Sequence, residues 1–254
     1  MGGVVHFFGN AWFAVDAGCK LLKCWLIFAP ASTKSAVGMT TRVKICCISS
    51  ENEARMAIAA GASALGLVGA MPSGPGIIGD EQIAAIARTA PPAVSTFLLT
   101  SETDASGIIN HVQRVQTNTV QIVDRVPVSV YTAIRKALPS TKIVQVVHVI
   151  NEASVEEALS VAPFVDALLL DSGNPNLPTK ELGGTGRVHD WRFSRRIREQ
   201  TLVPVFLAGG LSPDNARAAI EAVEPFGLDL CSGVRTNGHL DALKLEKFFH
   251  AARA

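Results

Sequence analysis

"RVKICCI", residues 42–48, is a short β-type apolar run that ends in two adjacent thiols, with a lysine two residues before the first of them. Side chains alternate along a strand, so Lys44 and Cys46 share one face and Val43 and Ile45 the other. Seven comparable runs follow, at 64–69, 93–99, 119–123, 142–149, 167–171, 203–208 and 227–231. Their starts lie about 22–36 residues apart, the size of a βα unit. The segments between them carry helical periodicity. Ile83, Ile86, Ala87 and Ala90 follow i, i+3, i+4, i+7, as do Val155, Ala158, Leu159 and Ala162, and again Ala216, Ala219, Ile220 and Val223. In "SPDNARAAI" (212–220), Ser212 is the expected N-cap and Pro213 the first helical residue. Eight such units in one domain-sized stretch predict a single-domain α/β structure, a (β/α)8 TIM barrel. A doubly wound open sheet fits less well, because no Gly-rich dinucleotide fingerprint follows the first run.

Composition narrows the partners. The chain has 254 residues, a formal net charge of +1 and 48% hydrophobic residues. No basic stripe or block of like charge points to nucleic acid or an anionic membrane. Five scattered cysteines do not make a disulfide scaffold, so a reduced cytoplasmic setting is expected. The histidines show no close spacing with one another, and no metal site is expected. Residues 1–38 differ from the rest. The stretch "VVHFFGNAWFAVDAGCKLLKCWLIFAP" is apolar but interrupted by Asp16, Lys20 and Lys23. Its uncharged stretches fall short of the roughly 20 residues that a membrane span needs. It also lacks the charged start and clean apolar core of a signal peptide. A leader, a docked extension and sequence upstream of the true start all remain open. The third is favoured because Met39 immediately precedes the first ordered pattern, which leaves 39–254 as the barrel domain.

In such a barrel the chemistry sits at the C-terminal ends of the strands. If Val43 and Ile45 face the outer helices, Cys46 points into the mouth, with Lys44 about 7 Å deeper. A nearby cation favours the thiolate. Inert core packing is the alternative for both thiols. The run "DALLLDSGNP" (166–175) ends abruptly in Asp171, which either sits at the rim for chemistry or caps the following loop. In "GLDLCSGV" (227–234), Asp229 points inward if Leu228 and Leu230 face the helices. Strand 8 closes against strand 1, so Asp229 either acts directly or pairs with Lys44. Three glycine-bearing loops complete the set: "GGTG" (183–186), "AGG" (208–210) and "SGV" (232–234). Glycines let backbone N–H groups approach an anion, and the loops after strands 7 and 8 form the usual phosphate cradle of this fold. Gly184, Thr185, Gly186, Gly209, Gly210, Ser232 and Gly233 are therefore the candidate phosphate-binding residues, with ordinary tight βα turns as the alternative reading of these loops.

The barrel resembles phosphoribosylanthranilate isomerase. The resemblance rests on "VKIC" (43–46), "AGASALGLV" (60–68), "LLLDS" (168–172), "GGTGRVHDW" (183–191), "LAGGLSPDN" (207–215) and "PFGLDLCSGV" (225–234), in the family's order. It implies the Amadori rearrangement of N-(5-phosphoribosyl)anthranilate to 1-(2-carboxyphenylamino)-1-deoxyribulose 5-phosphate, in tryptophan biosynthesis, without a cofactor. By the match, Asp171 is the general acid that protonates the ribose ring oxygen, and Cys46 is the general base that removes the C2 proton. Asp229 matches an aspartate near the substrate amine, as proton relay or orienting group. The expected partner is a small phosphorylated sugar, with no nucleic acid and no membrane, for a monomer or homodimer.

The departures are specific. The family reads V-K-I-C-G-I-T, where this chain has Cys47 for the glycine. Its P-K-S-x-R-Y-type loop carries an arginine for the anthranilate carboxylate. Here "MPSGPGIIG" (71–79) puts Gly76 at that position, and Val123 stands for the histidine of Q-L-H-G. A bidentate guanidinium–carboxylate contact is thereby lost, and Arg187, on the loop after strand 6, is the candidate replacement. A diverged isomerase for another pentose-phosphate conjugate and a non-catalytic phosphosugar-binding barrel are the alternatives.

Overall fold

The computed structural model describes residues 41–253 apart from 73, 175, 178–180 and 182–185. Residues 1–38 and the candidates Gly184 and Thr185 lie outside the described residues. Eight parallel strands close into a barrel in chain order. They are β1 (Arg42–Ile45), β2 (Ala64–Val68), β3 (Ser95–Thr100), β4 (Thr119–Ile122), β5 (Lys142–His148), β6 (Ala167–Asp171), β7 (Val205–Leu207) and β8 (Gly227–Leu230). The ring closes where β8 pairs with β1, with Lys44 opposite Asp229 and Ile45 opposite Leu230. A helix follows each strand: α1 (Glu51–Ala60), α2 (Asp80–Thr89), α3 (Ala105–Val115), α4 (Val128–Ala137), α5 (Glu152–Val161), α6 (Trp191–Gln200), α7 (Ala216–Val223) and α8 (Ala242–Arg253). A hairpin of two-residue strands, β9 (Arg235–Thr236) and β10 (His239–Leu240), lies between β8 and α8.

Strand parity divides the interior. Val43, Ile45, Leu65, Leu67, Leu228 and Leu230 belong to the large cluster packed beneath the helices. Each fully buried Leu or Ile there contributes about 1.5–3 kcal/mol relative to exposure. The alternate residues, among them Cys46, Ala64, Val68, Phe97, Leu169 and Phe206, form a second cluster inside the ring. Phe97 and Phe206 meet edge to face there, 5.9 Å between centroids.

Local capping fixes where helices begin. Ser50 accepts from the Glu53 N–H at 3.1 Å and starts α1 directly behind the thiols. Asn151 and Ser154 form a capping box on α5. The expected start of α7 is corrected. Ser212 and Pro213 lie in a turn, and the helix begins at Ala216 with Asn215 as its N-cap residue. The Asn215 side chain accepts from Ser212 N–H at 2.9 Å and donates to Gly210 carbonyl at 2.9 Å. An asparagine that bonds its own loop in this way competes with helix formation.

Candidate active site

Lys44 rises from β1 across the barrel interior with no exposed surface. Its Nζ lies 2.8 Å from Asp229 Oδ1 and 5.3 Å from the Phe97 ring centroid. Gly66 makes room for it, since a Cβ there would sit 3.0 Å from Lys44 Nζ and 2.8 Å from Cys46 Sγ. Burial opposes the ammonium charge, but the Asp229 carboxylate, together with the Cys46 and Cys47 sulfurs, more than offsets it, so the Lys44 pKa rises. The pairing that the sequence offered as one reading of Asp229 is therefore present. Asp229 also lines the cavity above, leaving it open to a second partner.

That cavity, open to solvent, occupies the C-terminal mouth of the barrel. Cys46, Asp171 and Asp229 line it, as do Gly186, Gly209, Gly210 and Ser232. Cys46 is held at the end of β1 by its N–H bond to Leu230 carbonyl, 2.9 Å. Asp171 ends β6, three strands away round the ring, beside His148 of β5. Its Oδ1 accepts from Ser172 N–H at 2.7 Å, so it makes the local turn bond as well as facing the cavity. Burial raises the Asp171 pKa; the Ser172 N–H works against this. A shift in this direction moves a carboxyl towards the range in which it can serve as a proton donor.

The glycine loops assemble only in part. Gly186, Gly209 and Gly210 all take positive φ, at 69°, 85° and 62°, and meet Ser232 at one cavity wall. A Cβ on Gly209 would lie 2.8 Å from Ser172 Oγ, and one on Gly210 2.7 Å from the Arg187 carbonyl carbon. Gly233 has no room for a side chain, because a Cβ there would collide with Leu211 carbonyl oxygen. Arg187 pairs with Glu181 and does not line the cavity.

Cys47 and Gly76 form a matched pair. Cys47 adopts φ 60°, a left-handed backbone that costs a non-glycine residue about 1–2 kcal/mol. Its side chain then occupies the space where Gly76 would carry a Cβ, 2.9 Å from Cys47 Cα. The thiol donates to Pro75 carbonyl at 3.6 Å. Contacts with Cys231 and Cys46, together with burial, push its pKa up, so Cys47 stays protonated. Gln121, on β4, was not a sequence candidate. It is 3% exposed and lines the cavity, and among the described residues its Oε1 has no hydrogen-bond partner. The inward parity it shares with Val123 was the available signal.

The match to known proteins covers nearly all of this barrel. The family model for N-(5'-phosphoribosyl)anthranilate (PRA) isomerase matches residues 43–251. The chain belongs to the phosphoribosylanthranilate isomerase family. An isomerase of this name from Methanosarcina acetivorans is 33% identical, over 87% of this chain and 97% of its own length. Phosphoribosylanthranilate isomerase 2 of Methanosarcina mazei is 36% identical, over 84% and 94%. The crystal structure of the Thermotoga maritima phosphoribosylanthranilate isomerase superposes with TM-score 0.72 at 31% identity, covering 84% of this chain and 98% of that one. A phosphoribosylanthranilate isomerase crystallised with reduced 1-(o-carboxyphenylamino)-1-deoxyribulose 5-phosphate has TM-score 0.69 and 29% identity, over 84% and 98%.

Proposed function

We propose that this chain catalyses the Amadori rearrangement of N-(5'-phosphoribosyl)anthranilate to 1-(2-carboxyphenylamino)-1-deoxyribulose 5-phosphate, in tryptophan biosynthesis. Asp171 protonates the ribose ring oxygen, and the C1–O bond breaks to leave a Schiff base. Cys46 takes the C2 proton, and the resulting enolamine tautomerises to the ketone. Asp229, held by Lys44, orients the substrate amine or relays its proton. Gly186, Gly209, Gly210 and Ser232 hold the 5-phosphate, together with Gly184 and Thr185. The observation that carries this reading is one cavity lined by a carboxyl of raised pKa, a thiol and a glycine-rich wall. The cytoplasm is the proposed site of action; among the described residues no helix is long and apolar enough to cross a membrane. Residues 39–254 are the catalytic domain in this reading, and a chain beginning at Met39 keeps full activity.

The direct experiment follows the loss of anthranilate fluorescence with freshly made substrate. Turnover that falls about 10²-fold or more in Cys46→Ser and in Asp171→Asn is the expected result. A folded wild type without turnover would refute the assignment.

One observation favours a second reading, an isomerase for another pentose-phosphate conjugate. Among the described residues that line the cavity there is no Lys or Arg to meet a carboxylate, and Cys47 fills the space beside Gly76. Turnover of other N-linked pentose phosphates in preference to the anthranilate compound would support it.

A further inference from the structure

Beyond β8 the chain doubles back through the β9–β10 hairpin, and the first hairpin residue, Arg235, turns its side chain inward. Its side chain is 8% exposed and that of its partner, Glu53 of α1, 9%. Nη1 donates to Glu53 Oε1 at 2.8 Å and to Gly238 carbonyl at 2.9 Å. Nη2 donates to Glu53 Oε2 at 3.0 Å, and also to the carbonyls of Cys47 at 2.6 Å and Cys46 at 3.4 Å. Glu53 is fixed from both sides in turn, accepting from Ser49 N–H at 3.0 Å and Leu240 N–H at 2.9 Å. A planar guanidinium in a two-pronged grip on a carboxylate has little rotational freedom left.

A tie between α1 and the hairpin needs only the Arg235–Glu53 pair. The bonds to the two successive carbonyls at the end of β1 go further. They grip the peptide that leaves Cys46, next to a residue forced to φ 60°. The direction of the Cys46 Cα–Cβ bond depends on how that peptide is turned.

We propose that Arg235, locked by Glu53, is a positioning residue that sets the rotation of the Cys46–Cys47 peptide and so aims the Cys46 thiol into the cavity. The inference rests on the reading of Cys46 as the base. A displacement of about 1 Å in a reacting group can cost on the order of 10²-fold in rate. Lysine at 235 keeps the charge but cannot hold a carboxylate at two points and two carbonyls at once.

The test compares wild type with Arg235→Gln, Arg235→Lys and Glu53→Gln. Kinetics with freshly made phosphoribosylanthranilate are paired with thermal melts and with iodoacetamide alkylation of Cys46, resolved by peptide mass spectrometry. We expect kcat to fall about 10- to 100-fold in Arg235→Gln, with KM within about threefold of wild type. Arg235→Lys and Glu53→Gln should show smaller losses in the same direction, and each variant an altered Cys46 alkylation rate. A lowered melting temperature with unchanged kcat and unchanged alkylation would make the cluster structural only and overturn the proposal. Should Arg235→Gln fail to fold, wild-type kcat in both Arg235→Lys and Glu53→Gln would overturn it equally. If wild type itself does not turn over the substrate, the proposed function fails separately. Altered alkylation of Cys46 in the variants would then still support the positioning role, and unchanged alkylation would refute it.

Discussion

Replacing Asp229 with leucine strands the Lys44 ammonium, and replacing Lys44 with methionine strands a carboxylate; the two losses should differ. At 2.8 Å and an effective dielectric of about 20, the pair attracts by about 6 kcal/mol. Against this stand desolvation costs of several kcal/mol for each ion, and removal of one partner alone costs about 3–5 kcal/mol. Lys44 has no exposed surface, so its orphaned charge has no route to water. Asp229 lines an open cavity and can recover hydration. Asp229→Leu is therefore expected to lose about 4–5 kcal/mol, and Lys44→Met less than about 3 kcal/mol. The double variant puts leucine and methionine against Phe97 and should be more stable than either single one. Urea unfolding of the four proteins, followed by far-UV circular dichroism, measures all three differences. With Asp229 gone, burial, the largest influence on Lys44, loses its main opponent, and the folded pKa should drop below the ordinary value of about 10.4. Between those two values the unfolded state binds more protons, so the stability of Asp229→Leu rises with pH across that window. Equal losses in the two single variants, or a double variant as unstable as their sum, would refute the reasoning.

Asp171→Asn should lose activity by about 10²-fold or more yet gain stability near neutral pH. Burial raises the folded Asp171 pKa above its unfolded value. Its contribution is therefore fully present below about pH 3.9 and lost as pH rises through the folded value. Thermal melts at pH 7.5 and at pH 3.5 should show the gain only at the higher pH. Glu53 gives the opposite sign. Burial works against its charge, but Arg235 and the N–H groups of Leu240 and Ser49 bring its pKa down to about 2. Stability from Glu53 is present above about pH 4.3 and lost as pH falls towards 2, a slope that Glu53→Gln should flatten in acid titrations. Gly76→Arg alone should destabilise the chain and leave substrate affinity unimproved, because the new Cβ meets Cys47. The pair Gly76→Arg with Cys47→Gly should fold better and lower KM for the anthranilate substrate, as steady-state kinetics would show.

The eight strands were legible because period-2 alternation survives in them, and the inward set had to be the complement of an outward Val/Ile/Leu set. Lys44, Cys46 and Asp229 fall on the inner face by that parity alone. The start of α7 was misread because Asn215 bonds its own loop, a competition that no periodicity records. The β9–β10 hairpin was invisible for another reason: two-residue strands carry no pattern. Arg235 reads as an ordinary surface arginine until the fold brings it to Glu53, 182 residues earlier in the chain. The coupling of Cys47 to Gly76 is also spatial. The sequence showed two separate departures from the family motif, and only the backbone angles and the missing Cβ reveal one substitution making room for the other.

Closure of the ring between its first and last strands bears on how the chain is made. The bond from Lys44 to Asp229 spans 185 residues. At a synthesis rate of about 5–20 residues per second, β1 leaves the ribosome roughly 10–40 s before its closing neighbour exists. Throughout that interval β1 presents an open edge of unpaired N–H and C=O groups, an invitation to pairing with another nascent chain. The grip of Arg235 on the end of β1 forms later still. The thiol proposed as base directly follows β1, the first of the eight barrel strands, yet its surroundings are completed last, so a chain that stalls before residue 235 carries Cys46 without the site that gives it a use.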